Sequence, residues 1–428
     1  MQSIIMHVVP FLINFLFLLD HNTNKVIDER ELEQYSIIEG QSEIESLNQE
    51  IEFWQKRLVE SPKQYSYKLK IADYRSQLFQ INGSIDNLNN ATLLLEEANR
   101  QTYYKEVFIL RSLARNYISQ HRFRDAYGLL CQAESIGQNL RETQKMLFDV
   151  HMELGNYHVA GCYLAEIRKA DFDYFIRMAK WQDFLGNLDH AIHFMELAAD
   201  QAEKQKNREL MLWSYTNLAD FYGHAGRISD AYSLYKKSLQ IQPGNRYALK
   251  QIAWIAYSYE RNTPMALEIV SDIEEWYCTP DILLLKAQIL DYLGDKIEAE
   301  RYAKDFLELV RRSAYGRMYT IQIAELFLEE KKYEEALTFA LKEVEERPTP
   351  ETYGLLAWVH FNAGHLEQAY QIIEDEIVDK TFEPVPNYYA AEILKSKGKI
   401  EYVRRVKDDL MESIFELGPD AEPRIKKL

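Results

Sequence analysis

Cysteine is nearly absent from this chain: Cys131, Cys162 and Cys278 stand far apart among 428 residues, with no CxxC pair and no Cys/His spacing. That excludes a disulfide framework and a zinc finger, and it leaves each cysteine the part of a small buried hydrophobe. Glycine and proline are also few, at 16 and 11 positions, so helices meet few interruptions. Positive charge is in deficit, with 50 Lys and Arg against 67 Asp and Glu and a net charge of −17. A field of that sign repels phosphate backbones, and no nucleic-acid partner is expected. Catalytic signatures are missing as well: there is no HExxH, no GxSxG, no P-loop and no GxGxxG placed after a strand. Neither an enzyme nor a cofactor is expected. His151 and His158 straddle Gly155 on different helices and read as structural or solvated residues.

What the chain does have is apolar material, 47% of its residues, with 29 Tyr and 19 Phe, enough for a large core. It also has a period. Alanine recurs at Ala91, Ala126, Ala160, Ala191, Ala231, Ala266, Ala299, Ala336 and Ala369, followed by Val403, at intervals centred near 34 residues. A second alanine precedes the first by twelve in the pairs Ala114/Ala126, Ala179/Ala191, Ala219/Ala231, Ala287/Ala299, Ala324/Ala336 and Ala357/Ala369. Two antiparallel helices joined by a short turn pack closely only where small side chains meet at their crossing. Gly155, Gly186, Gly226, Gly294, Gly364 and Gly398 each lie five residues before the second position, where a left-handed residue ends the first helix. The chain therefore reads as consecutive helical hairpins.

The unit WSYTNLADFYGHAGRISDAYSLYKKSLQIQPGN carries Tyr215, Leu218, Ala219, Tyr222, Gly226, Ala231, Tyr235 and Pro243, and through them resembles the tetratricopeptide repeat. The resemblance spans roughly residues 65 to 416. It implies an all-α, right-handed superhelical solenoid of about ten hairpins, and a role in holding proteins or peptides. Extra residues in the first unit (INGSIDNLNN) and between Ala191 and Ala231 are expected to lengthen loops.

Four segments follow: an apolar leader at 1–19, a polar linker and capping helix at 20–64, the solenoid at 65–416, and a flexible tail at 417–428. The leader (SIIMHVVPFLINFLFLL from Ser3) reads as an export signal or membrane anchor, although no Lys or Arg precedes it and no cleavage site follows. A buried cap and a misassigned start are the alternatives. The layout resembles bacterial cell-surface or periplasmic tetratricopeptide proteins, which implies the cell envelope and a possible membrane association through the leader; a cytoplasmic location is the alternative. Ile44, Leu47, Ile51, Trp54 and Leu58 form one seam, suited to capping the first hairpin.

Two binding readings complete the sequence picture. The segment DHNTNKVIDERE resembles an EF-hand calcium loop through Asp20, Asn22, Asn24, Asp28 and Glu31, but Lys25 stands where a glycine is needed. A linker is preferred, and a calcium-responsive adaptor is the alternative function. In repeat register the first helices present Arg111, Arg115, Lys145, Lys180, Asp220, His224, Trp254, Tyr257, Tyr292 and Trp358 to a common groove. Its early basic part suits a carboxylate or acidic peptide, its later aromatics an anchor. Thr216 and Asp220 depart from the carboxylate clamp of this family, although Asn217 fits it. A non-enzymatic protein- or peptide-binding scaffold is the function expected.

Overall fold

Small residues at the helix crossings set the architecture. In the computed structural model, which describes residues 25–32, 35, 41–312 and 314–428, helices α3 (Tyr65–Asn82) to α22 (Ile400–Glu412) form ten antiparallel pairs. The pairs run α3 with α4 (Ile85–Gln101), α5 (Val107–Ser119) with α6 (Phe123–Ile136), and α7 (Leu140–Glu153) with α8 (Tyr157–Glu166). They continue with α9 (Phe172–Phe184) and α10 (Leu188–Gln205), α11 (Arg208–His224) and α12 (Ile228–Ile241), and α13 (Arg246–Trp254) and α14 (Thr263–Trp276). The last four are α15 (Pro280–Leu293) with α16 (Lys296–Arg312), α17 (Thr320–Glu329) with α18 (Tyr333–Glu346), α19 (Pro350–Asn362) with α20 (Leu366–Glu376), and α21 (Pro384–Ser396) with α22. Every alanine of the periodic series, and Val403, is buried. A larger side chain at any of these positions drives two backbones apart.

The hairpins begin and end by local chemistry. Asn207 and Asn245 accept from the main-chain N–H of Leu210 and Ala248 at 3.1 and 3.0 Å, capping α11 and α13. The six turn glycines all have positive φ. Gly155 and Gly186 have a second reason to be glycine: a Cβ there would stand 2.3 Å from the Pro348 carbonyl oxygen and 2.6 Å from the Phe382 ring. Gly83 faces Thr279 in the same way, at 2.7 Å.

These close approaches share one register. The turn of the first hairpin meets the connection after the sixth, that of the third the connection after the eighth, and that of the fourth the connection after the ninth. Successive superhelical turns thus stack on one another, and Arg347 pairs with Glu153 across 194 residues at 2.8 Å.

Several expectations are corrected. The extra residues of the first hairpin and between Ala191 and Ala231 extend helices, not loops: α3 and α4 have 18 and 17 residues, α10 and α11 18 and 17. Ile85 and Leu88 carry the buried stripe of α4 back through the inserted stretch. Cys162 and Cys278 are exposed and Cys131 is half-buried; Cys162 lies two residues past Ala160, on the far side of α8.

The seam of α2 (Gln41–Glu60) packs on Ile71 and Leu78 of α3, as a cap should. The end of the polar segment before it is docked. Ile27 is buried, and the N–H groups of Val26 and Ile27 donate to Glu260 at 2.5 and 2.7 Å. The leader lies outside the described residues, among which no helix is long and apolar enough to cross a membrane.

Candidate functional site

The predicted groove residues fall into three settings. Three of the four early cations are spent between hairpins. Lys145, buried, meets Asp173 at 2.7 Å and Glu142 at 2.6 Å. Lys180 meets Glu153 at 2.8 Å, and Arg111 donates to the carbonyls of Gln138 and Asn139 at 3.2 and 3.3 Å. Arg115 is exposed. With their charge met, Lys145 and Lys180 join neighbouring repeats and are poorly placed to receive an acidic peptide.

Asp220 and Trp358 are packing residues. Asp220 accepts from the hydroxyls of Tyr235 and Tyr247 at 2.5 and 2.6 Å and from Gln251 at 3.1 Å; burial, and then the Asp220 charge, raise both phenols above the usual range. Trp358 stacks on Tyr389 with centroids 4.8 Å apart.

The third setting brings His224, Trp254, Tyr257 and Tyr292 together with residues the sequence reading passed over. A five-residue π-helical segment, Ile255–Tyr259, continues α13. Such insertions re-aim side chains, and here Trp254, Tyr257 and Ser258 face the end of the chain. Tyr257 makes edge contacts with Trp254 and Tyr292 at 5.5 and 5.6 Å.

The tail expected to be flexible is folded onto them. Just before it α23 (Ile414–Leu417), and within it α24 (Glu422–Ile425), close the chain, with the Phe415 carbonyl 2.9 Å from Trp254 Nε1 and 2.7 Å from Ser258 Oγ. The Phe415 ring lies against Gly223, where a Cβ would meet it at 2.7 Å. Tyr257 donates to Asp420 at 3.4 Å, Arg261 to Glu422 at 3.1 Å, and Ile425 is fully buried. The signal was present in Ile414, Phe415 and Leu417 at the end of the preceding apolar stripe, and in Ile425 among the polar residues that dominate the tail.

Beside the tail lies a cavity of about 700 Å³, walled by Trp254 and Tyr257, by α15 to α17 and by Leu417, Gly418 and Arg424. Carboxylates predominate in it. Burial, with Glu329 one turn away, raises the Glu325 carboxyl to about 7, and Tyr389 OH stands 3.5 Å from it.

A second carboxylate group lies where the superhelical turns and tail converge. Burial, then the neighbouring Asp183, Glu416 and Glu351, lift Glu383 to about 8. Asp183 and Glu416 are raised by burial also, against the opposing pull of His224, which is 3.8 Å from Glu416.

Of the calcium-loop residues, Asp20, Asn22 and Asn24 lie outside the described residues. Asp28 accepts from its own helix at Arg30 N, 3.0 Å away, and Glu31 pairs with Lys236. Among the described residues no group of three His, Cys, Asp or Glu side chains is arranged to hold a metal. His151 is buried and lies parallel to the Tyr163 ring.

Residues 214–245, the hairpin of α11 and α12, match the tetratricopeptide repeat family. No curated protein matches the chain. Among solved structures it is similar to a human IFIT1 dimer with PPP-AAAA, at 13% identity and a TM-score of 0.47 over 73% of this chain and 71% of that one. It is similar to yeast Tom70 at 14% and 0.39, covering 85% and 88%, and to a tetratricopeptide repeat protein from Parabacteroides merdae at 18% and 0.34, covering 60% and 96%. That hairpin's small-residue crossing is repeated through the array, which gives the chain the all-α superhelical fold of tetratricopeptide repeats.

Proposed function

We propose that the chain is a non-enzymatic scaffold that binds a polypeptide on the face formed by the first helices of hairpins five to eight. One observation carries this: the chain's own end lies there as a peptide would, its Phe415 carbonyl held by Trp254 and Ser258. A surface that orders one main-chain segment through a half-buried indole N–H and a hydroxyl has the donors to order another. The net charge of −17 favours a polypeptide partner over a nucleic acid.

The half-exposed Tyr292 lies at the rim of this face, and a photo-crosslinking residue there should join the chain to a polypeptide partner. The same group at Leu93, exposed on α4, should not. Equal yields from both positions, or none from Tyr292, would reject the reading.

We place the protein at the cell envelope on the strength of the apolar run from Ser3 to Leu19. Cell fractionation with mass determination of the mature N-terminus tests this, and a soluble cytoplasmic chain retaining Met1 would overturn it.

A further inference from the structure

The cavity beside the tail is unevenly charged. Asp291 is met by Lys296 at 2.5 Å, and Asp420 by the Tyr257 hydroxyl. Against Glu300, Glu325, Glu329 and Glu330 on the α16 and α17 walls stand Lys304 and Arg424. Arg424 comes from the tail, and its charge bears on Glu329 and on the paired rings Tyr388 and Tyr389.

The tail is anchored at Phe415, Glu422 and Ile425, on either side of this opening, and walls it without filling it. Glu325 looks into the space with a neutral phenol as its hydrogen-bond partner. Aromatic rings beside carboxylates are the surroundings that a guanidinium or ammonium group on an apolar stem prefers.

We propose that this cavity receives a Lys or Arg side chain from a basic segment of the partner polypeptide, set between Glu325 and Glu329 with Trp254 and Tyr257 along its stem. The proposal rests on the scaffold reading above and names its partner's chemistry. Arg424 is the cation that the tail itself supplies, and the incoming one adds to it or replaces it. The preferred ligand is therefore basic, opposite in sign to the acidic peptide that the early lysines suggest.

The test uses the full chain and a peptide labelled at its N-terminal amine, fluorescein-GRIKKL-amide, which copies the basic end Arg424–Leu428. Anisotropy at physiological salt should show saturable binding. Glu325→Gln with Glu329→Gln should weaken it about tenfold or more, since two charge-assisted contacts are lost. Glu45→Gln with Glu52→Gln, exposed on α2, changes the net charge equally and should leave affinity within about twofold. Arg424→Gln should strengthen binding by removing the resident competitor.

Unchanged circular dichroism and melting confirm that the variants fold. An absence of saturable binding, equal loss in both double variants, or no loss in either would overturn the proposal. A partner still cross-linked through Tyr292 in the Glu325→Gln, Glu329→Gln chain would reject the basic pocket and leave the scaffold reading standing.

Discussion

The indole Nε1 of Trp254 donates to the main-chain carbonyl of Phe415 at 2.9 Å, joining positions 161 residues apart. The bond fastens the end of the array to its sixth hairpin and covers a face that the repeat pattern alone leaves open. Because Ser258 shares the same acceptor at 2.7 Å, the contact weakens in steps when one donor is removed.

Trp254→Phe keeps an aromatic ring and removes the donor. It should cost about 1 kcal/mol, as for one neutral hydrogen bond whose acceptor keeps another donor. Hydrogen exchange should rise at the amides from Ile414 to Leu428 while the first three hairpins stay as protected as before. Uniform loss of protection along the chain would show that the tail and array open together.

The glycine turns separate two effects that look alike in sequence. Gly226 has φ of 70° and nothing within 4 Å of an added Cβ, so Gly226→Ala should cost about 1 kcal/mol from the left-handed backbone alone. Gly155 has the same φ with the Pro348 carbonyl 2.3 Å from that Cβ. Gly155→Ala should therefore cost about 3 kcal/mol or more, by the added overlap between superhelical turns. Urea unfolding of the two variants measures the difference, and equal costs would mean that the turns part easily.

How far the sequence reached follows from the range of each interaction. The paired alanines were legible because a crossing inside one hairpin needs small residues at a fixed spacing, and Ala219 and Ala231 meet that need locally. Ion pairs between neighbouring hairpins left a fainter trace: Lys145 to Asp173, Arg177 to Asp149 and Lys180 to Glu153 span 28, 28 and 27 residues. Read singly, those lysines looked like a binding stripe. Read at that offset, they are ties between repeats. The stacking of Gly155 on Pro348 and of Phe415 on Gly223 has no local pattern, since it depends on how small rotations between hairpins accumulate.

Lys145 decides between the tie and the stripe. It is 5% exposed and held by two half-exposed carboxylates, so the full penalty of a broken buried pair is softened by solvent. Lys145→Ala should cost about 1–2 kcal/mol in urea unfolding, through the lost packing of its stem and the lost pair, and leave binding through the Trp254 face unchanged. Full stability with impaired binding would restore the basic groove suggested by the sequence.

The carboxylates at the junction of turns and tail make stability depend on pH, with a definite sign. Glu383 is raised to about 8 from an ordinary value of 4.5, and Asp183 and Glu416 are raised in the same direction. A carboxyl whose folded pKa lies above its unfolded one binds its proton more tightly when folded. Its stabilising contribution is complete below the unfolded value and fades as pH climbs through the folded one. The urea midpoint of the full chain should accordingly fall between about pH 5 and pH 8. Glu383→Gln cannot ionise and relieves the repulsion among Asp183, Glu416 and Glu351, so it should flatten that slope and raise the midpoint most at pH 8. Tail protection should follow the same course, because Glu416 belongs to α23: the protection factors of the Phe415 and Leu417 amides, taken against the intrinsic exchange rate at each pH, should rise on acidification in the parent chain and much less in the variant. A midpoint that rises with pH across this window would mean that the junction is held by its ionised carboxylates, as with Asp183 beside Lys180, and that their crowding is already relieved by solvent.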